Sequence, residues 1–312
     1  MSKFEKQFLG VMEDILVHGH DRPDRTGVGS RATWGCNIEI DLAEGFPIIT
    51  TRKTTARIAF EETWFFLRGE VDTKKLEDKK INIWKGNTTR EFLDSRGLHH
   101  LPEGHLGKGY GFQWRNFGGG YHVTGPKPTY EAKQWDVAEY DYDYSRHDGK
   151  GFDQVVATLE GLKKDVNGRR HIISGWNPAQ LHEMALPPCH LYQQYQILDG
   201  KLNSQFLMRS WDFLYGAPFN IMGYAMLNHA FAKYLNLEPG KLLAMGTDVH
   251  LYDNQLEIAA VQVERDPFPL PKLTITKELD TIDDIFALEF TDFVIEGYQA
   301  HPDFKNKPGM AV

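Results

Sequence analysis

Helical and strand periodicities occur side by side in this chain without regular alternation, which predicts an α+β fold in a single domain. Three observations carry the prediction. Phe4, Phe8, Met12, Ile15 and Leu16 recur at helical spacing, so the N-terminus opens with an amphipathic helix. Asp199-Gly200 separates two strand-like runs and is a strong hairpin signal. A long, strongly apolar helix follows Pro218 and continues through Leu235. At 312 residues the chain can bury a full core, and no repeat or linker divides it.

The remaining elements follow in order. Ala32, Trp34, Cys36, Ile38 and Ile40 alternate with polar neighbours, as in a half-buried strand whose apolar face carries Cys36. Residues 55–68 are helical in pattern and rich in aromatics. Phe152, Val155, Val156, Leu159 and Leu162 mark another helix that ends before Asn167-Gly168. Strands are expected over 171–176, 190–198, 202–209 and 242–252. Residues 118–151, rich in Gly, Tyr, Asp and Pro and without periodicity, are expected to form a surface insertion.

Composition narrows the function. Apolar residues make up 41% and charged residues 25%, ordinary values for a soluble enzyme. A net charge of -8 argues against broad nucleic-acid binding, which needs a basic face, but allows a local basic pocket for one phosphate. The two cysteines have no metal-ligand spacing and form no disulfide framework, so no metal is expected. With neither a signal-peptide run nor a membrane-length apolar segment, a cytoplasmic location is expected.

Cys189 is the candidate nucleophile. It follows Pro187-Pro188 at the start of a strand, and Arg209-Ser210 end the neighbouring hairpin strand, where they supply positive potential. A guanidinium both favours the thiolate and binds an anionic substrate. His190 is not assigned as its base, because adjacent residues on a strand face opposite sides. Arg25 lies in a glycine-containing loop, Asp24-Arg25-Thr26-Gly27-Val28-Gly29, that matches neither a Walker loop nor a dinucleotide fingerprint. Arg169-Arg170 are equally compatible with a helix-terminal charge pair. Asn220 is either an N-cap-like residue or an amide that reads a uracil edge with one donor and one acceptor. His250 and Tyr252, two apart on a strand, face the same side and either pack in the core or grip a hydroxyl. Glu62, inside an apolar helix, is either an exposed helical acid or a buried one with a raised pKa suited to acid–base work.

Together these blocks resemble the thymidylate synthase family over nearly the whole chain. The matching pieces are Asp24 to Gly27, Glu62 with Phe66 to Gly69, Ile83-Trp84, Tyr110 to Arg115, Arg169-Arg170 and Trp176 to Pro178. The strongest are Met184 to His190, Arg209-Ser210 with Asp212, Gly216 with Pro218 to Ile221, His250 with Tyr252, and Met310 to Val312. The resemblance implies a twisted mixed sheet flanked by helices, and a homodimer packed sheet to sheet. It implies one-carbon transfer from 5,10-methylenetetrahydrofolate, a co-substrate, to C5 of dUMP, yielding dTMP and dihydrofolate. Cys189 would add to C6, Asn220 would hold the base edge, and Arg25, Arg209 and Ser210 would bind the 5′-phosphate with Arg169 and Arg170 of the partner subunit. His250 and Tyr252 would bind the 3′-hydroxyl, Glu62 would order water, and Tyr110 would help remove the C5 proton. Trp84, Asn87, Asp212, Gly216, Phe219 and Val312 would line the folate site, Asp212 serving the nucleotide as well.

Several positions depart from the family pattern. Lys85 stands where aspartate is usual, Gly107-Lys108-Gly109 replaces Gly-Pro-Val, and Gln193 replaces an apolar or aromatic residue. Trp211 and Tyr215 occupy positions that are normally smaller or aliphatic. A wetter folate pocket would favour the family's hydroxymethylases, which finish with water in place of hydride. A non-catalytic nucleotide- or RNA-binding protein on this fold is a third possibility, against which the retained Cys189 and its arginines count.

Overall fold

A computed structural model describes residues 2–24, 26–120 and 151–305, and the backbone of two short strands between them. In chain order the elements begin with α1 (Lys3–His18), β1 (His20–Arg22), β2 (Ser30–Asp41), α2 (Ala56–Leu67), α3 (Lys74–Asp78), α4 (Arg90–Ser95) and α5 (Gly111–Asn116). The short strands β3 (His122–Val123) and β4 (Tyr142–Asp143) come next, then α6 (Gln154–Lys164), β5 (His171–Ser174), β6 (His190–Leu198) and β7 (Lys201–Asp212). The chain continues through α7 (Gly216–Tyr234), β8 (Glu238–Tyr252), α8 (Leu256–Val263), β9 (Lys272–Ile275), α9 (Ile282–Phe286) and β10 (Phe293–Glu296). The mixture is the expected α+β class.

Two compact units make up the described chain, with boundaries inside α2, α6 and β5 and just before β6. The first comprises residues 1–64, 158–172 and 189–312. Its sheet has the order β1-β2-β8-β7-β6-β5. β2 runs antiparallel to β8, β8 parallel to β7, and β7 antiparallel to β6, so the sheet is mixed as expected. The hairpin between β6 and β7 turns on Asp199 (φ 51°) and Gly200 (φ 73°), and two successive positive φ values match the twist of the flanking strands. β7 extends to Asp212, beyond the expected end at Arg209, because its parallel ladder with β8 continues through Ser210↔Asp248 and Asp212↔His250.

The parallel pair β7 and β8 needs a crossover, and α7 supplies it. Ile221, Met222, Ala225, Met226, Leu227 and Phe231 of α7 are buried, so this helix is apolar nearly all round and forms the centre of the core. α1 covers the neighbouring part of the sheet with Phe4, Phe8, Met12 and Ile15, and Phe8 stacks on Phe213 at 4.7 Å. One detail of β2 differs from the alternation. Trp34 is 84% exposed while Ala32, Ile38 and Ile40 are buried, although the register of β2 with β8 runs unbroken past it. Cys36 is half-buried, and burial pushes its thiol up to about 12, which leaves it an inert structural residue.

The second unit comprises residues 65–157 and 173–188. Leu93, Leu98, Leu101 and Ala185 form one apolar cluster in it. A buried amide network knits it together: Gln113 Nε2 donates to Gln180 Oε1 (2.9 Å), Asn177 Nδ2 donates to Gln113 Oε1 (3.1 Å), and Gln154 Nε2 donates to the Ser174 carbonyl (2.8 Å). The interior of the expected 118–151 insertion lies outside the described residues, apart from the pairing of β3 with β4.

Candidate active site

The first unit concentrates the candidate residues at one end of its sheet. Cys189 stands immediately before β6, half-buried, and its carbonyl accepts from Arg209 N (2.9 Å). The Arg209 carbonyl in turn accepts from Thr247 Oγ1 (3.0 Å), so the arginine backbone is held between Cys189 and β8. Ser210 and Asp212 follow on β7, and their register partners on β8 are Asp248 and His250. The sheet end thus gathers the Cys189 thiol just before β6, the Arg209 guanidinium and Ser210 hydroxyl of β7, and the His250 imidazole of β8.

Asn220 enters from the first turns of α7. Its side chain caps nothing there: Oδ1 accepts from Trp211 Nε1 (3.0 Å), and Nδ2 lies 3.3 Å from His190 Nε2. His190 Nδ1 bonds the Tyr224 hydroxyl at 2.8 Å. Burial pushes the His190 imidazole down to about 4, so it is neutral at pH 7 and one nitrogen must accept. The Tyr224 hydroxyl is raised well above its ordinary value, by burial first, then by Tyr195 and by the Glu62 charge. Glu62 reaches this neighbourhood because Gly223 lets α2 approach α7 closely: a Cβ there would lie 2.2 Å from Thr63 Oγ1. Glu62 is half-buried, between its two expected environments.

His250 is held by two charges. Its Nδ1 donates to Asp248 Oδ1 (2.8 Å), and Arg22 Nη2 reaches both Asp248 oxygens at 2.6 and 2.5 Å. These bonds, against the opposing effect of burial, hold the Asp248 carboxyl down at about 2. Nδ1–H is thereby committed, which leaves Nε2 to meet a ligand hydroxyl. Tyr252 packs edge-on to His250 at 5.2 Å. Asp212 accepts from Tyr215 N (3.1 Å) and Gln255 Nε2 (3.3 Å), yet burial raises its pKa. Next to it Arg52 lies buried, donates Nη2 to the Leu214 carbonyl (2.6 Å), and sits 4.9 Å from the Tyr215 ring. Arg52 Nε and Tyr215 Oη are buried without hydrogen-bond partners in the described structure.

The second unit holds Trp84, Asn87 and Tyr110. Tyr110 adopts φ 44°, an unfavourable backbone for a non-glycine residue, and such strain gathers at functional sites. Its ring stacks on Phe66 (4.7 Å) and meets Trp84 edge-on (4.9 Å). Trp84 is half-buried, and the buried Asn87 Nδ2 has no hydrogen-bond partner among the described residues. A partly open indole beside an orphaned amide suits a flat heterocycle bearing acceptors.

The family model described as thymidylate synthase matches residues 6–311. The chain belongs to the thymidylate synthase family. The bifunctional dihydrofolate reductase-thymidylate synthase of Zea mays is 38% identical over 308 residues, covering 99% of this chain and 54% of that protein. The enzyme of the same name from Paramecium tetraurelia is 40% identical over 308 residues, covering 99% of this chain and 61% of that protein. A third, from Plasmodium chabaudi, is 37% identical over 297 residues, 95% of this chain and 47% of that protein. The chain therefore spans about half to three-fifths of the curated relatives it matches.

Within this thymidylate synthase family chain, Cys189, Glu62, Arg209, Ser210, Asp212, Gly216, Phe219, Asn220, His250 and Tyr252 fall in the first unit, and Trp84, Asn87 and Tyr110 in the second. Arg169 and Arg170 are also in the first unit and exposed, with the Arg169 carbonyl accepting from Gln194 Nε2 (3.4 Å). Arg25 and Val312 lie outside the described residues. Two lysines that depart from the family pattern are ion-paired: Lys85 with Glu77 (3.6 Å) and Lys108 with Glu183 (2.6 Å). Gln193 is buried and accepts from the Tyr195 hydroxyl (2.6 Å).

Sequence reasoning missed Arg52 and the link from His190 to Asn220. Alternation applies inside a strand, but Cys189 precedes the first residue of β6, and the β6–β7 ladder shifts register between His190 and Tyr192. The Arg52 position carried no signal, since an arginine after Thr50-Thr51 reads as a surface charge.

Proposed function

We propose that this chain is a thymidylate synthase that transfers and reduces a one-carbon unit from 5,10-methylenetetrahydrofolate to C5 of dUMP, giving dTMP and dihydrofolate. The observation that carries it is the sheet-end cluster in which Cys189 is bonded through its backbone to Arg209, with Asn220 presenting an oriented amide. The Cys189 thiolate adds to C6 of the pyrimidine, which places negative charge on C5 and makes it the nucleophile. Arg209 and Ser210 bind the 5′-phosphate with Arg25, and the exposed Arg169 and Arg170 serve the partner subunit's nucleotide. His250 and Tyr252 take the 3′-hydroxyl, Glu62 orders water near the Tyr224 hydroxyl, and Tyr110 assists loss of the C5 proton. Asp212 supports the nucleotide and, with Trp84, Asn87, Gly216, Phe219 and Val312, the folate.

The chain works as one catalytic domain over 1–312 and as a homodimer. Supporting the dimer, the sheet face opposite α7 carries Tyr192, Gln194, Gln205, Leu207, Leu243 and Met245 half-buried, a mixture of amides and apolar side chains suited to a second sheet. No described helix is long and apolar enough to cross a membrane, which is compatible with a cytoplasmic enzyme. The deciding experiment mixes the chain with dUMP and methylenetetrahydrofolate and identifies both products. dTMP with dihydrofolate is expected. 5-Hydroxymethyl-dUMP with tetrahydrofolate would make it a hydroxymethylase, and absence of turnover with retained dUMP binding would make it a binding protein.

A further inference from the structure

Uracil and cytosine differ at two adjacent positions in opposite senses. Uracil offers a donor at N3 and an acceptor at O4; cytosine offers an acceptor at N3 and a donor at N4. A side-chain amide satisfies either base by rotating half a turn, because its oxygen and nitrogen exchange places. An asparagine therefore discriminates between them only if something prevents the flip.

In this chain Trp211 prevents it. Trp211 stands on β7 where the resemblance calls for a smaller residue, and it is 1% exposed. Its Nε1 donates to Asn220 Oδ1 at 3.0 Å. Indole nitrogen is a donor only, so among the partners of Asn220 it alone has a polarity that no tautomer can reverse. The rest of the chain follows from it: Asn220 Nδ2 donates to His190 Nε2 (3.3 Å), and His190 Nδ1–H donates to the Tyr224 hydroxyl (2.8 Å). Phe206 fixes both ends, stacked on Tyr224 at 4.1 Å and edge-on to Trp211 at 5.7 Å. Phe213 meets the other side of Trp211 at 5.5 Å.

We propose that Trp211 sets the base preference of this site: its indole N–H pins Asn220 Oδ1 and locks the amide in the orientation that reads uracil and rejects cytosine. Oδ1 keeps a second lone pair for the N3–H of uracil, and Nδ2 keeps a second hydrogen for O4. Rotation of the amide to suit cytosine would set its NH₂ against the Trp211 N–H, two donors facing each other in a buried place with no acceptor. His190 could answer such a rotation by changing tautomer, but Trp211 could not. Trp211 is thus a positioning residue that acts through Asn220, and the proposal rests on the site taking dUMP.

The test is equilibrium binding of dUMP and of dCMP to the full chain, to Trp211→Phe and to Asn220→Asp. Trp211→Phe keeps the ring contacts and deletes the N–H. Its dUMP:dCMP affinity ratio is expected to fall on the order of tenfold, through tighter dCMP binding. Equal weakening of both nucleotides, or an unchanged ratio, overturns the lock. Asn220→Asp separates the two levels. A shift towards dCMP in that variant with none in Trp211→Phe refutes the lock alone, whereas no shift in either refutes base reading by Asn220 and the lock with it. Should Trp211→Phe fail to fold, indole N–H exchange observed by nuclear magnetic resonance in the ¹⁵N-labelled chain decides. One protected indole proton should lose its protection in Asn220→Ala; if none does, the pin is absent.

Discussion

Single residues at this site are defined by what holds them. Cys189 is half-buried beside a backbone bond to Arg209, so a serine in its place preserves the contact surface while replacing a soft thiolate with a poor nucleophile. Cys189→Ser is expected to reduce turnover by more than ~10³-fold and leave dUMP binding measurable. Near-normal turnover would remove the covalent mechanism. Asp248 holds His250 from behind while taking Arg22 from the other side. Asp248→Asn removes the charge and turns one of the two oxygens that Arg22 bonds into a donor, so the hold on the imidazole weakens. The 3′-hydroxyl lies away from C5 and C6, and the expected result is a rise of about tenfold in KM for dUMP with a smaller change in kcat. An unchanged KM would show that His250 does not need this support.

At the scale of elements, one buried carboxylate ties the first helix to a turn far along the chain. Glu5 of α1 is fully buried and accepts from Thr50 N, Thr50 Oγ1, Thr51 N and Thr51 Oγ1 at 2.7 to 2.8 Å. Thr51 also takes Gln262 Nε2 on its hydroxyl (3.0 Å) and Arg265 Nη1 on its carbonyl (2.7 Å), and Arg52, the next residue, reaches the Leu214 carbonyl. Glu5→Gln removes the charge that strengthens all four bonds and forces the Thr50 hydroxyl to turn round and accept from the new Nε2. It should destabilise folding by about 3 kcal/mol, read as a lowered denaturant midpoint. A loss below about 1 kcal/mol would mean that the turn is held by its other bonds. Helix α1 was legible in the sequence from its apolar spacing, but Glu5 was not: an acid in the first turn of a helix reads as a solvated end residue, and only the Thr50-Thr51 turn arriving above it makes it a core group.

For the whole molecule, buried titratable groups set the response to acid. Burial holds the imidazoles of His190 and His229 down at about 4, against an ordinary value of 6.5. Between those values the unfolded chain binds protons that the folded chain refuses, so both residues withdraw stability as pH falls from 6.5 to 4. Asp212 acts in the opposite sense, since burial raises its pKa and its protonation on acidification relieves a cost. Asp248, held down at about 2, adds its own loss only below 3.8. The two imidazoles contribute a fall in stability from pH 6.5 to 4, and His229→Gln should remove its share of that fall without touching the candidate site residues. Denaturant midpoints taken across that range check both; a midpoint independent of pH would refute the account.

The sequence by itself determined the α+β class, the hairpin and the central apolar helix, and it supplied Cys189 as the candidate nucleophile with candidate arginines, an amide and an imidazole. These are properties of residue type, order and short-range period, and they are present in the chain before it folds. What only the tertiary structure decided is how those groups are oriented. The bond from Arg22 to Asp248 spans 226 positions, that from Asn220 to His190 spans 30, and the indole that pins the amide lies on a strand while the amide lies on a helix. Polarity of this kind arises when side chains from separate elements meet in a buried place where each donor must find an acceptor. No period or spacing along the chain encodes that pairing.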